Sequence, residues 1–248
     1  MKITVLGNYG PFPAAGGACS GYLLQEEGDG RKYNILIDCG NGVLSNLQKI
    51  IKIEDIDAIV LSHLHYDHMA DMFVLQYAVD LKNKRENMNK VMTVYAPSEP
   101  LAVFEMLDVA NIFDLRPITE DLVLRFGDLT LTFAGMKHPF KSFAVSMENK
   151  GKRFVYSGDT SWCDNILEFS KNSDILMLDS GLLSRDKKSE NVAHLTAEEC
   201  GIIAEKAGAR LLLLTHLWPG YKPEELLSEA KQKFDNVKVT ASFDEYNL

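Results

Sequence analysis

His63-Leu64-His65-Tyr66-Asp67-His68 puts three imidazoles and a carboxylate within six residues, and the whole chain has only six histidines. The hexapeptide follows Ala58–Leu61, an apolar, β-branched run that reads as a buried strand. It therefore sits at a strand's C-terminal end. Two histidines at i and i+2 of extended chain point the same way, because side chains alternate with period two. Once the chain turns into a helix, Asp67 and His68 can face the same spot from another direction. Imidazole and carboxylate are ligands that zinc prefers, and a solvated loop has no reason to concentrate them. The stretch predicts a metal site.

Working outward, three more ligand-type residues follow apolar strands. His138 comes just after the strand Leu129–Phe133, Asp159 lies in Tyr156-Ser157-Gly158-Asp159-Thr160, and His216 follows Leu211-Leu212-Leu213-Leu214-Thr215. Taken singly, a histidine after a strand is more simply a structural residue. Jointly, four strand ends each deliver a ligand, and convergence on one sheet edge is how α/β sites are built.

The rest of the chain reads as one domain over residues 1–248, without repeats or linkers. Strands are expected at Ile3–Leu6, Gly21–Glu26, Tyr33–Ile37, Val91–Tyr95, Leu122–Phe126, Phe143–Met147, Phe154–Tyr156, Ile175–Leu178 and Val237–Val239. Asn149-Lys150-Gly151 marks a hairpin turn, and a short helix follows Asn41-Gly42. One helix is expected over Asp67–Leu81 with Met69, Met72, Phe73 and Tyr77 on its buried stripe. Val74, Leu75 and Val79 exceed what one face needs, which fits either a homodimer contact or burial within the chain. Thr196-Ala197-Glu198-Glu199 is a capping box opening a helix with Cys200, Ile203, Ala204 and Ala207 inward, and Pro223 suits a first helical position. Strand clusters alternating with helices predict an α/β sandwich of two face-to-face sheets with helices outside.

Composition narrows the function. Net charge is −9 with neutral histidines, so the surface repels a long polyanion. The basic clusters Lys82, Lys84, Arg85, Lys90 and Arg185, Lys187, Lys188 read first as solvated surface. No apolar run is long enough to cross a bilayer, and Gly7-Asn8-Tyr9-Gly10-Pro11 ends the first apolar run too early for a signal peptide. Cys19, Cys39, Cys163 and Cys200 form no C-x-x-C pair and read as reduced thiols, which implies a cytoplasmic protein.

The H-x-H-x-D-H string, followed at these intervals by single His, Asp and His residues, resembles the metallo-β-lactamase superfamily over essentially the whole chain. That resemblance implies a four-layer αββα sandwich and two divalent ions, zinc first, with manganese or iron as alternatives. His63, His65 and His138 would hold one ion, Asp67, His68 and His216 the other, and Asp159 would bridge them. Seven protein ligands on two ions leave room for a bridging hydroxide, the mark of a catalytic site. Within the superfamily, β-lactamases carry Cys or Ser where Asp159 stands, and flavodiiron proteins an acid where His65 stands.

Tyr-Ser-Gly-Asp-Thr and the later His194-Leu195-Thr196 look like the ribonuclease Z branch, as does the glycine- and proline-marked opening Leu6–Pro13. There a histidine outside the metal shell acts with an acid as proton donor, which implies roles for His194 and Asp179. Asp67, His194 and Asp179 are thus the candidate catalytic residues. The branch usually has glutamate at the Asp179 position. Its long tRNA-gripping arm between the equivalents of His138 and Asp159 has no room here, where only twenty residues intervene. The match is therefore to the armless, ElaC-like hydrolases.

Tyr66, Phe140, Trp162 and Trp218 are expected as pocket walls, with Arg185, Lys187 and Lys188 as the basic cluster beside the metals. The leading expectation is a dinuclear phosphodiesterase acting on small or single-stranded phosphodiesters, with no membrane partner and poor processing of tRNA. Hydrolysis of a lactone, thioester or sulfate ester on the same fold is the alternative. A non-catalytic metal-binding partner protein is the competing class.

Overall fold

Alternation along the strands sorts side chains into layers. In the strand Gly21–Gly28, Tyr22 and Leu24 face one way and Leu23 the other; in Arg31–Ile37, Ile35 and Ile37 oppose Leu36. All six are buried, so both faces of this sheet are covered. A computed structural model of the chain, which describes residues 1–189 and 192–248, shows how.

The first sheet has the order β14 (Glu245–Asn247), β1 (Lys2–Gly7), β2 (Gly21–Gly28), β3 (Arg31–Ile37), β4 (Ala58–Val60), β5 (Met92–Ala96), β6 (Phe113–Pro117). The second runs β13 (Val237–Val239), β12 (Leu211–Thr215), β11 (Ile175–Asp179), β10 (Lys152–Tyr156), β9 (Ser142–Asn149), β8 (Leu129–Met136), β7 (Leu124–Phe126). Their inner faces meet in a core that includes Tyr22, Ile35, Ile37 and Val60 from one sheet and Phe143, Phe154, Tyr156 and Met177 from the other. Outside the first sheet lie α1 (Val43–Leu47), α2 (Tyr66–Met69), α3 (Met72–Glu86) and α4 (Leu101–Phe104); outside the second lie α5 (Asp164–Phe169), α6 (Ala197–Ala207) and α7 (Pro223–Lys231). The result is the αββα sandwich.

What matters for the site is direction. Strands β10, β11, β12 and β13 are mutually parallel, and β8 points the same way through two antiparallel pairings. In the other sheet β3, β4, β5 and β6 are parallel. The C-terminal ends of β8, β10, β11 and β12 therefore share one edge of the sandwich.

Several local expectations hold. Asn149 pairs with Lys152 across a two-residue turn in which Lys150 and Gly151 both take left-handed φ, the geometry hairpin strands prefer. The Thr196 hydroxyl accepts from Glu199 N while the Glu199 carboxylate accepts from Thr196 N, and Cys200, Ile203, Ala204 and Ala207 are buried as expected. Pro223 is the first residue of α7.

The helix expected over Asp67–Leu81 is instead two helices, α2 and α3. At the joint, Asp71 N–H donates to the Cys39 carbonyl and the Asp71 carboxylate accepts from Leu44 N, so the chain is pulled toward the end of β3 and the start of α1. The stripe also differs: Met72, Leu75 and Val79 are the buried residues, whereas Tyr77 is exposed with Val74 and Leu81. Leu75 and Val79 are thus absorbed within the chain. The strands β6 and β14 and the helices α4 and α5 have no counterpart among the expected elements.

The α6–α7 contact depends on one close approach. A Cβ on Gly201 would lie 2.5 Å from the Ala230 carbonyl oxygen of α7. Alanine normally favours a helix over glycine by roughly 1 kcal/mol, but the neighbour here is backbone and cannot rotate away. Gly201→Ala is expected to destabilise the fold by about 1–3 kcal/mol, the usual cost of overpacking. Urea denaturation checks this, and a stabilised variant would refute the close packing.

Candidate metal centre

Each ligand-type residue arrives from a strand end. His63 and His65 lie just past β4, His138 just past β8, Asp159 just past β10, and His216 directly after β12. His65 is still extended (φ −71°, ψ 148°) and caps α2, which carries Asp67 and His68 in its single turn. Past β10, Gly158 takes φ 58° and lets the chain bend into Asp159.

These side chains form two quartets that share Asp159: His63, His65, His138, Asp159 and Asp67, His68, Asp159, His216. Within each, one ligand atom per residue lies within 4.8 Å of every other. In the first quartet His65 Nδ1 is 3.1 Å from both His63 Nε2 and His138 Nε2, and Asp159 Oδ2 is 3.5 Å from His63 Nε2. In the second, His216 Nε2 is 3.0 Å from Asp67 Oδ2 and 3.2 Å from Asp159 Oδ2, and His68 Nε2 is 3.2 Å from Asp159 Oδ1. His68 Nε2 and Asp159 Oδ1 are fully buried and, although 3.2 Å apart, make no well-aligned hydrogen bond with each other or with another group. Buried polar atoms are rarely left so. A divalent cation between the quartets would satisfy both, and the imidazole–carboxylate set is one that zinc accepts.

The backs of the rings are held. His68 Nδ1 donates to Asp38 Oδ2 (2.8 Å), His138 Nδ1 to the Ala193 carbonyl (3.1 Å), and His63 Nδ1 to Ser62 Oγ (3.1 Å), whose hydroxyl donates in turn to Asp38 (2.9 Å). Such partners fix the tautomer and aim the other nitrogen at the metal. The two quartets differ in charge preference. Burial holds His63, His65 and His138 below the usual imidazole range, so they stand neutral with free lone pairs. Burial also opposes charge on His68 and His216, but Asp159 and the neighbouring carboxylates outweigh it: His68 is pushed well up and His216 up to about 10. Although buried, Asp159 is held well below the usual carboxylate range by His216, His68 and His63, and Asp67 is lowered by His68 and His216.

His194 stands above this centre. Its ring stacks on His216 (centroids 5.0 Å, 18° between planes) and lies 5.7 Å from His138. Its Nδ1 donates to Asp179 Oδ2 at 2.9 Å. Asp179 is fully buried at the end of β11 and also accepts from Thr160 N and Gly181 N. Despite burial, Asp179 pulls His194 above the ordinary imidazole range. The pairing expected of these two residues is what the structure contains.

The pocket walls are sorted differently. Phe140 packs on His65 at 4.1 Å, and Trp218 and Tyr66 are exposed beside His216 and His65. Trp162 is turned away: it packs into the outer core against α6, with Lys206 over its ring. The basic cluster is also turned away. Arg185 pairs with Glu225 at 2.8 Å and lies over Tyr221, Lys187 pairs with Glu199, and Lys188 lines a surface depression beside Glu198 and Glu199. Glu225 and Glu199, in the acidic first turns of α7 and α6, hold Arg185 and Lys187 there.

Sequence reasoning missed Asp38, Ser62 and Gly10. Asp38 directly follows an apolar strand, the same signal that marked Asp159. Gly10 lies in the glycine- and proline-marked opening, but that pattern does not say what it touches: a Cβ there would sit 1.9 Å from His216 Nε2, so only glycine lets the first loop lie against the ligating edge of that ring.

Comparison with known proteins agrees with this geometry. Residues 33–217 match the model of the beta-lactamase superfamily domain. A probable metallo-hydrolase of Bacillus subtilis, YhfI, is 36% identical over 235 residues, covering 95% of this chain and 94% of its own. Its crystal structure superposes with a TM-score of 0.92, covering 99% of this chain and 98% of the other. Ribonuclease Z of Methanosarcina acetivorans is 23% identical over an alignment of 307 positions that covers all of this chain and 98% of the archaeal enzyme. The alignment exceeds the chain's own length, so that enzyme has segments with no counterpart here. The human short-form tRNase Z shares the fold, with a TM-score of 0.76 at 20% identity and coverage of 100% and 99%. With both quartets standing where a hydrolytic metal centre needs them, this chain belongs to the beta-lactamase superfamily, as a metallo-hydrolase related to YhfI and ribonuclease Z.

Proposed function

We propose that the chain is a dinuclear, zinc-first phosphodiesterase acting on small or single-stranded phosphodiesters. The observation that carries the reading is the His194–Asp179 pair stacked on His216: a proton donor in place beside two ligand quartets that share one carboxylate. Two bound divalent ions would supply an acidified water and positive charge on both sides of an ester under in-line attack. The chain's own part is to hold that geometry and to move one proton. Asp179 keeps Nδ1 of His194 protonated and leaves Nε2 as the nitrogen able to donate to a departing alkoxide. The likeness to ribonuclease Z supports phosphodiester chemistry over the alternative esters. Between His138 and Asp159 the chain spends its residues on β9, β10 and a tight turn, which leaves no surface to grip a folded RNA.

Loading with zinc should reach close to two ions per chain, and Asp159→Ala should lose metal and activity together. The quartets should also differ in proton release. His68 and His216 hold protons in the metal-free chain at pH 7, whereas His63, His65 and His138 do not. Filling the second quartet must displace about two protons and the first none. Affinity for the second ion should therefore climb with pH from 7 toward 10, where His216 gives up its proton unaided. Calorimetry in buffers of different ionisation enthalpy checks this; equal proton release at both steps would rule it out.

His194→Ala should keep its metal and slow turnover roughly 10²–10⁴-fold on esters with poor leaving groups. Nitrophenolate, which leaves without a proton, should show a smaller loss. Equal losses on both would make His194 a positioning residue.

Across a panel of phosphodiester, lactone, thioester and sulfate ester, turnover should favour small phosphodiesters such as bis-nitrophenyl phosphate, cyclic nucleotides or short single-stranded ends. Precursor tRNA should be processed poorly. Efficient tRNA 3′ processing, or strong lactonase activity with no phosphodiesterase activity, would show the reading to be wrong.

A further inference from the structure

Two large aromatic rings stand exposed at the rim of the second quartet, Phe12 at 48% and Trp218 at 39%. They face each other edge to face, with centroids 5.2 Å apart and an interplanar angle of 83°. Each sits two residues from the metal centre: Trp218 follows His216, and Phe12 follows Gly10, whose backbone lies against His216 Nε2. Two residues of chain span at most about 7 Å. Both loops are tied together, with Gly10 N donating to the Leu217 carbonyl at 3.2 Å and Leu217 N to the Asn8 carbonyl at 2.8 Å. Trp218 is further held against its own turn, since a Cβ on Gly220 would lie 2.5 Å from Trp218 Nε1. His216 itself takes a left-handed φ of 54°, which a non-glycine residue adopts only where its surroundings impose it.

An aromatic pair held beside the second quartet and partly exposed to solvent offers flat apolar surface to another ring. Of the other aromatics near the site, Phe140 packs on His65 and Trp162 lies in the outer core, while Tyr66 is exposed next to His65, at the first quartet and not the second. Arg185 and Lys187 do not offer the alternative handle, because they are paired with Glu225 and Glu199. We propose that Phe12 and Trp218 form a stacking platform for a nucleobase carried by the substrate, so that the preferred ligands are base-bearing phosphoesters. Because the platform is already ordered, stacking costs little immobilisation. The phosphoryl half of this ligand rests on the phosphodiesterase reading; the base half does not.

The test separates the two. Calorimetry on the zinc-loaded protein compares adenosine 5′-monophosphate with ribose 5-phosphate, which share a phosphate and sugar and differ by the base. The nucleotide should bind roughly 5- to 150-fold more tightly, the affinity equivalent of one stacked base. Phe12→Ala/Trp218→Ala should close that gap, Phe12→Leu should narrow it with zinc content unchanged, and Trp218→Phe should keep most of it. In turnover, the double variant should raise KM for thymidine 5′-(p-nitrophenyl phosphate) with kcat preserved and leave methyl p-nitrophenyl phosphate unaffected. Equal affinity for the two ligands, or a gap that survives both the double variant and Phe12→Leu, overturns the platform. A gap that depends on the platform in a protein that cleaves no diester upholds the platform and overturns the phosphodiesterase reading.

Discussion

Asp38 is the interaction on which the site depends. Its carboxylate is fully buried and accepts from Ser62 N, Ser62 Oγ, His68 Nδ1 and Tyr156 OH, at 2.7 to 2.9 Å. Ser62 follows β4 and His68 sits in α2, while Tyr156 ends β10 of the opposite sheet. One carboxylate therefore ties the two sheets together at the edge where the ligands gather. It orients His68 directly and His63 through Ser62. A buried carboxylate is costly unless its hydrogen bonds are met, and here they are met by groups that belong to the metal centre. Core packing and ligand geometry are the same problem at this point of the fold.

The second constraint is charge. Asp38, Asp67, Asp159 and Asp179 lie at or beside one sheet edge, and three of the four are essentially inaccessible to solvent. Without cations, protons on His68 and His216 supply the balance, and this is why those rings are pushed up while His63, His65 and His138 are pushed down. The asymmetry follows from where the acids are: Asp159 faces both quartets, Asp67 belongs to the second, and His68 is the one ligand ring that Asp38 touches directly. Metal binding then replaces protons on one side and fills ready lone pairs on the other.

What the sequence makes legible is whatever the backbone period dictates. His63, His65, His138, Asp159, Asp179 and His216 could all be found because each follows an apolar strand, and a strand's end is visible as the end of a hydrophobic run. Asp38 obeys the same rule after Tyr33–Ile37 and could have been read the same way. The break between α2 and α3 could not, because it is imposed by Cys39 and Leu44, partners far from it in sequence. Nor could the fate of Arg185, Lys187 and Trp162. Their proximity in sequence to Asp179, His194 and Asp159 suggested the site, but α6 and α7 present acids and an apolar face that compete for them. A side chain's chemistry is local; its direction is settled by whatever packs nearest.

That distinction also separates the centre from its rim. Ligands stand on strand ends because a sheet holds atoms to the tolerance that coordination requires, and such ends tolerate little change. The rim is made by loops, here Asn8–Phe12 and Leu217–Trp218, which contribute no ligand and so are free to vary in what they display. In this chain they display flat apolar surface, and β9 and β10 form a plain hairpin with a two-residue turn. On the phosphodiesterase reading proposed above, phosphate charge would be met by the centre itself, and a preference among phosphoesters would come from the part of the ligand that lies outside it. With Arg185 and Lys187 drawn away to α6 and α7, the Phe12–Trp218 pair is the aromatic surface beside His216, and on that same reading it would favour ligands that carry a ring to stack.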